Sequence, residues 1–106
     1  MALREVIVNQ NKPANSSVTS VAASATAVTL LAANTNRLVA SFFNDSTSTL
    51  FLKLGSGASS TSYTTQVLTN GYFELVYPAY TGIITGIWTV ATGNARITEL
   101  TQDASF

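Results

Sequence analysis

The sequence contains no histidine and no cysteine, and it carries little charge, with five Lys or Arg and five Asp or Glu among 106 residues. Without His and Cys it lacks a zinc tetrad, a haem-ligating imidazole, a cysteine nucleophile, a histidine base and a disulfide framework. We therefore expect no metal, no cofactor and no enzymatic activity. A net charge of zero leaves no surplus of basic side chains to neutralise phosphates, so we expect no direct binding to nucleic acid.

Long apolar runs are also missing. Two stretches without charge, residues 13–36 and 75–95, are interrupted by Ser, Thr, Asn, Gly or Pro. Neither supplies the roughly 20 consecutive apolar residues that cross a bilayer, and residues 1–8 lack the basic and apolar regions of a secretory signal. We therefore expect no association with a membrane and no export by the secretory route.

What the chain does contain favours β-structure. Hydrophobic residues make up 46% of it, and the polar remainder is dominated by 16 Thr, 12 Ser and 8 Asn. Thr, like Val and Ile, is restricted at χ1 and fits the pleated surface of a sheet. Because low net charge gives little repulsion between copies, this composition is typical of a component of an assembly.

Alternating apolar and polar residues separated by turn clusters predict about eight short strands and no helix. Clear strands are predicted at 38–43, 49–54, 63–68, 72–77, 83–91 and 95–100, and a strand is preferred over a helix within 20–33. In the second of these strands, Leu50, Leu52 and Leu54 are predicted to face the core and Lys53 to face solvent. The expected fold is an all-β, single antiparallel β-sandwich or small barrel.

Three connections read as β-hairpins. The cluster NDSTS at 44–48 joins the strands 38–43 and 49–54, and Asn70-Gly71 predicts a type I′ turn between 63–68 and 72–77. Gly93-Asn94 would close a last hairpin, with Val90 opposite Ile97 and Ile87 opposite Leu100. Pro78 is expected to end the strand that precedes it, since it lacks the N–H that a central strand needs.

Residues 1–25 differ from the remainder and are predicted to form an extended N-terminal arm, followed by the β-domain at 26–106. The arm begins with a short β-like segment at 4–9, in which Val6, Ile7 and Val8 are too apolar to leave in water without a partner strand. These three residues are candidate protein-interaction residues, and so are Tyr77, Tyr80 and the C-terminal Phe106, because aromatic side chains anchor interfaces. Trp88, in contrast, is expected in the core.

Two carboxylates provide the only enzymatic alternative. Glu74 and Glu99 both lie on predicted strands and are expected to face away from the core, and two suitably spaced carboxylates suffice for glycoside hydrolysis. An exposed Glu on a strand is more often a solubilising residue, and a small chain seldom provides a substrate cleft. Catalysis is therefore the weaker interpretation.

Several segments resemble a recurrent family of small structural proteins of tailed bacteriophages. They are LLAAN at 30–34 followed by Arg37, NDS at 44–46, LKLG at 52–55, ASSTSYT at 58–64, GYFE at 71–74, YTG at 80–82, GIW at 86–88 and ATGNARITEL at 91–100. The resemblance covers about 70 residues and omits the arm. Its motifs are turns and strand residues, so they indicate a virion component more strongly than they indicate which one.

The chain departs from that family in having an N-terminal arm and almost nothing after the domain, and we therefore expect a self-contained capsid decoration, or cement, protein that is made in the host cytoplasm and sits on the outer surface of the virion. Its expected partners are the major capsid protein, whose subunit junctions it would reinforce, and further copies of itself, as a trimer first and a dimer second. The arm would add a strand to a shell subunit or to a sister copy. The alternative is a tail or fibre module that binds carbohydrate or a receptor through Tyr72, Tyr77 or Tyr80.

Overall fold

The computed structural model describes residues 12–102, which form eight β-strands and, within that range, no helix. The strands are β1 (Pro13–Ala22), β2 (Val28–Leu31), β3 (Arg37–Ser46), β4 (Leu50–Leu54), β5 (Thr65–Val67), β6 (Tyr72–Leu75), β7 (Ile84–Trp88) and β8 (Gly93–Gln102). They form two four-stranded antiparallel sheets that pack face to face. The predicted all-β sandwich is confirmed.

Sheet A has the order β1-β8-β3-β6, and sheet B has the order β2-β7-β4-β5. The pairs β1–β8, β2–β7, β3–β6 and β4–β5 are nested in the sequence, as if one long hairpin had been rolled up. Rolling also brings β8 beside β3 and β7 beside β4. This strand order is that of a jelly roll, in which a sandwich is built from two Greek keys.

The core lies between the two sheets and follows the alternation of the strands. Leu50 and Leu52 are fully buried, and Leu54 packs against the same cluster, as the period of two predicts. Trp88 is buried as expected, and its Nε1 donates a hydrogen bond of 3.1 Å to Asn44 Oδ1. Gly86 lies where a Cβ atom would come within 2.8 Å of Leu50, so only glycine fits there without displacing the core.

The three predicted hairpins are wrong, because each of these turns carries the chain from one sheet to the other. After β3 the chain crosses from sheet A to sheet B, after β5 it crosses to sheet A, and after β7 it crosses again. Ile87 therefore pairs with Phe51 rather than Leu100, and Ile97 pairs with Phe42 rather than Val90.

Asn44 explains two of these crossings, since it ties them to a single buried side chain. Its Nδ2 donates to the carbonyls of Ser48 (2.8 Å), in the turn after β3, and Val67 (2.7 Å), at the end of β5. Its backbone N–H donates to Gly71 O, and its own carbonyl accepts from Asn70 N–H. Asn70 has the positive φ that was expected (61°), but Gly71 does not, so the turn is not type I′.

Part of the predicted arm lies outside the described residues, including the β-like segment at 4–9. The described part is extended: β1 runs along β8 from Pro13 opposite Gln102 to Ala22 opposite Asn94. Strand β6 ends at Leu75, before the cis Tyr77–Pro78 peptide bond.

Candidate assembly surface

The outer face of sheet A exposes large apolar side chains on three of its four strands, β1, β3 and β6. Phe42 and Ile97 are buried and opposite each other, so their neighbours Phe43 and Arg96 point outward. One row across the sheet contains Ser20, Arg96, Phe43 and Tyr72, the next contains Val18, Thr98, Ser41 and Glu74, and a third contains Ser16, Leu100 and Val39. We call these three rows the outer A face.

Apolar and hydroxyl side chains dominate the outer A face. Val18 is 73% exposed and Tyr72 is 60% exposed, and Phe43 beside Tyr72 is also exposed. With about 3.3 Å per residue and about 4.8 Å between strands, the outward side of sheet A covers about 500 Å². Neighbouring exposed apolar side chains, here Phe43 beside Tyr72, mark candidate interaction sites.

Charges on this side of the sheet are few and mostly compensated. Arg96 Nε bonds Asp45 at 3.0 Å across neighbouring strands, and Arg96 Nη1 donates to Ser20 Oγ at 2.7 Å. Glu74 is exposed in the adjacent row and, within residues 12–102, has no ion partner. A partner that covers this surface would therefore have little charge to desolvate.

The edge of sheet A at β1 is a second unusual surface. All ten residues of β1 are uncharged, and all except the half-buried Val21 are exposed. β8 pairs with one side of the strand, and no strand from the described part of the chain pairs with the other. Natural sheet edges are normally short, charged or covered, since bare backbone invites pairing with another chain. The other edge strands follow that rule by length, with four residues in β2, three in β5 and four in β6.

A buried arginine organises one end of the sandwich, and sequence reasoning gave it no role. The Arg37 guanidinium is fully buried and donates to Glu99 Oε2 at 2.8 Å. It also donates to the carbonyls of Ala32 (2.6 Å), Tyr80 (2.8 Å) and Gly82 (3.0 Å). A register irregularity between Arg37 and Val39 turns this side chain inward from the start of β3.

The expectation that Glu99 faces away from the core is therefore wrong. Glu99 has the same parity on β8 as the buried Ala95 and Ile97, and this alternation in the sequence could have placed it inward. Glu74 pairs with the outward Ser41 and does point to solvent. The two carboxylates lie on opposite faces of one sheet and so do not form the pair that glycoside hydrolysis requires.

The predicted interaction residues are distributed unevenly. Val6, Ile7, Val8 and Phe106 lie outside the described residues. Tyr77 and Tyr80 both lie in the connection from β6 to β7 and are exposed. The Tyr80 ring folds over Gly82, where any side chain would overlap it. Arg37 donates hydrogen bonds to the backbone carbonyls of Tyr80 and Gly82. Arg37 thus fixes the loop that presents these two tyrosines.

A polar cavity of about 280 Å³ lies at the opposite end of the sandwich from Arg37. It is lined by the end of β3, the turn after β5 and the connection into β8: Asp45, Ser46, Thr47, Thr69, Asn70, Thr92 and Gly93. Hydroxyl, amide and carboxylate groups of this kind can hydrogen-bond a sugar. Tyr72 lies two residues after Asn70, so an exposed aromatic ring is close in sequence to the cavity.

Neither a metal site nor a membrane span is found in the described part of the chain. Residues 12–102 contain no group of three metal-ligating side chains. They also contain no helix of the length and apolarity needed to cross a bilayer. Comparison with protein-family models, with curated proteins and with solved structures found no match to this chain.

Proposed function

We propose that this chain is a structural protein of a tailed-bacteriophage particle, and that it binds the outer surface of the major capsid shell as a decoration protein. The observation that carries the proposal is the outer A face, a sheet surface that exposes Val18, Phe43 and Tyr72 and carries two charged side chains, Arg96 and Glu74. The resemblance of residues 30–100 to phage structural proteins supplies the identity of the partner.

The sandwich supports a mechanical role. Strands β3, β6 and β8, which carry most of the outer A face, pack their other sides into one core, so this part of the surface is rigid before it binds. A rigid surface loses little conformational entropy on binding, which leaves more of the contact energy for affinity. Many copies, each bound across a junction between shell subunits, would together resist expansion of the shell.

We also propose that the chain is not an enzyme and needs no cofactor. Its proposed partners are the major capsid protein and other copies of itself, and its proposed location is the capsid surface after synthesis in the host cytoplasm. Neither nucleic acid nor membrane is among the partners, because the sequence offers no basic surplus and no long apolar run.

The test is binding of the purified chain to particles that lack it. We expect the wild-type chain to bind at a copy number close to that of the major capsid protein, measured by densitometry of washed particles. Tyr72→Glu places a charge in the outer A face and should weaken binding at least about tenfold, as expected for an aromatic anchor. Leu68→Glu is the matched control, since Leu68 is 61% exposed but belongs to the turn after β5.

Equal binding by the two variants would contradict the role of the outer A face. A few copies per particle, instead of hundreds, would contradict decoration and favour the second candidate, a tail or fibre module that binds carbohydrate. The polar cavity beside Asn70 and the exposed ring of Tyr72 support that candidate. It predicts that free saccharides compete with binding to host cells, which a decoration protein would not show.

A further inference from the structure

We propose that the free edge of β1 is a self-association site, where β1 pairs antiparallel with β1 of a second copy. The two-fold axis that relates the copies passes between their two Val18 residues. The pairing joins two copies of sheet A into one eight-stranded sheet. It stands independently of the proposed function, because it is a property of the purified chain in solution.

The sequence of β1 matches its own reverse on the outward face. Residues of even number point outward, with Val18 and Ser20 opposite the outward Thr98 and Arg96. From Asn15 onward the register with β8 is regular, and the outward residues there are Ser16, Val18, Ser20 and Ala22, whereas Ala14 lies at a register irregularity between Pro13 and Asn15. A two-fold axis between the two Val18 residues therefore places Ser16 opposite Ser20 and Val18 opposite Val18.

The two-fold geometry restricts the register to this kind of match. In an antiparallel pair, directly opposite residues point to the same face of the sheet. Only registers in which even residues meet even residues keep both cores on one side. Centring on Val18 satisfies that condition and pairs residues 15–21 of each copy, which gives roughly six to eight hydrogen bonds between the two backbones.

Side chains in this register are compatible on both faces. Val18, 73% exposed in the single chain, packs against its own copy at the axis. Ser20 Oγ accepts from Arg96 Nη1 and keeps its own O–H to donate to Ser16 of the other copy. On the inward face Ser17 meets Thr19, and hydroxyl pairs of this kind stabilise neighbouring strands.

Between Asn15 and Val21 no side chain opposes the pairing, whereas Pro13 and the irregularity at Ala14 confine it to the residues that follow. No charged residue lies in β1, so no like charges meet across the axis. The inward-facing Asn15, Ser17 and Thr19 are exposed, which shows that sheet B does not extend beneath them and leaves room for the second copy. β1 is also much longer than any other edge strand, so a head-to-tail ring, in which β1 would meet β2, β5 or β6, would pair at most four residues.

The dimer also enlarges the outer A face. The outward side of sheet A in one copy has a projected area of about 500 Å². A standard interface takes roughly 800 Å² of accessible surface from each partner. Two copies joined at β1 present about 1,000 Å² on one continuous sheet. From the sequence we expected a trimer before a dimer, and the self-matching edge reverses that order.

Cysteine cross-linking tests the register, since the natural chain has no cysteine to interfere. Opposite Cα atoms in an antiparallel pair lie about 4.5–5.5 Å apart, which is within the range of a disulfide. Val18→Cys should therefore form a disulfide-linked dimer upon mild oxidation. Ser16→Cys and Ser20→Cys should each cross-link poorly alone but efficiently when mixed. Leu68→Cys, equally accessible on the turn after β5, is the control for random collision.

Sedimentation measures the association itself. We expect the wild-type chain to sediment as a dimer of twice 11.1 kDa. Val18→Lys, which opposes two charges at the axis, should raise the dissociation constant at least about fivefold. Leu68→Lys should not change it. Because Val18 projects into solvent in the single chain, the Val18→Lys variant should keep the circular dichroism spectrum of the wild type.

A wild-type chain that remains monomeric, or a Val18→Cys variant that cross-links no faster than Leu68→Cys, would overturn the proposal. A three-fold assembly, or cross-linking of Ser16→Cys with itself, would overturn the register. None of these outcomes bears on binding to phage particles, which is measured separately with Tyr72→Glu.

Discussion

Replacement of Arg37 by methionine should be among the most destabilising single changes available in this fold. The guanidinium is fully buried, and it bonds the carboxylate of Glu99, whose side chain is only 14% exposed. Removal of the cation leaves that carboxylate without its partner and three backbone carbonyls without a donor. Breaking a buried ion pair from one side costs about 3–5 kcal/mol.

That loss is large compared with the total stability of a domain this size, about 5–15 kcal/mol. With a shift of about 4 °C for each kcal/mol, Arg37→Met should lower the melting temperature by about 12–20 °C. Arg37→Lys should fall between the wild type and Arg37→Met. It keeps the charge but has a single nitrogen in place of the guanidinium fork that reaches four acceptors.

Urea unfolding at 25 °C, followed by circular dichroism, measures the effect, and the chain supplies its own control. Arg96 forms an ion pair with Asp45 at a similar distance, 3.0 Å, but its side chain is 52% exposed and that of Asp45 is 46% exposed. Arg96→Met should therefore cost no more than about 1 kcal/mol. If the two methionine variants unfold at the same urea concentration with unchanged slopes, the reasoning from burial is refuted.

Two further substitutions probe the interior by the same urea assay. Asn44→Asp replaces an amide that donates to two backbone carbonyls with an oxygen that repels them, so it should lower the free energy of unfolding by about 2–4 kcal/mol. Asn70→Asp, at an exposed turn position, should change the free energy of unfolding by less than about 0.5 kcal/mol. Similar losses in the two variants would contradict the role assigned to the buried amide. Gly86→Ala would place a Cβ 2.8 and 2.9 Å from leucine side chains on the two neighbouring strands and should lower the free energy of unfolding by about 1–3 kcal/mol. Ser56→Ala, at an exposed position, should leave the free energy of unfolding unchanged. A Gly86→Ala variant as stable as the wild type would show that the core rearranges to accept the methyl group.

The direction in which most side chains point could be predicted from the sequence. Alternation placed Leu50 and Leu52 inward, and the size of Trp88 placed it in the core. Both inferences use only local chain geometry, since successive residues of any strand point to opposite faces. The fold class followed from the same local information, as β-branched content and frequent turns favour a sandwich.

Strand partners could not be predicted in this way. A tight turn between two strands looks the same in sequence whether the chain returns beside the first strand or crosses to the opposite sheet. Here the outcome depends on Asn44, whose amide bonds the turn after β3 and the end of β5, which are distant in sequence. The free edge of β1 is also a property of the whole sheet order, because it exists only once β8 has paired with the other side of the strand.

The rolled arrangement of the strands sets the order in which the chain can acquire its structure. Strands β4 and β5, which pair with each other, are near neighbours in sequence, whereas β1 pairs with the distant β8. The side chain of Asn15, for example, donates a hydrogen bond to the carbonyl of Gln102, 87 positions later. Pairings between such distant segments make folding slow. On the ribosome, β1 emerges before the other strands of the described residues and stays without its neighbour until nearly all of the described chain has been synthesised. A chain interrupted before residue 93 would release an uncharged strand with both sides unpaired, so incomplete products should be the main source of aggregation during expression.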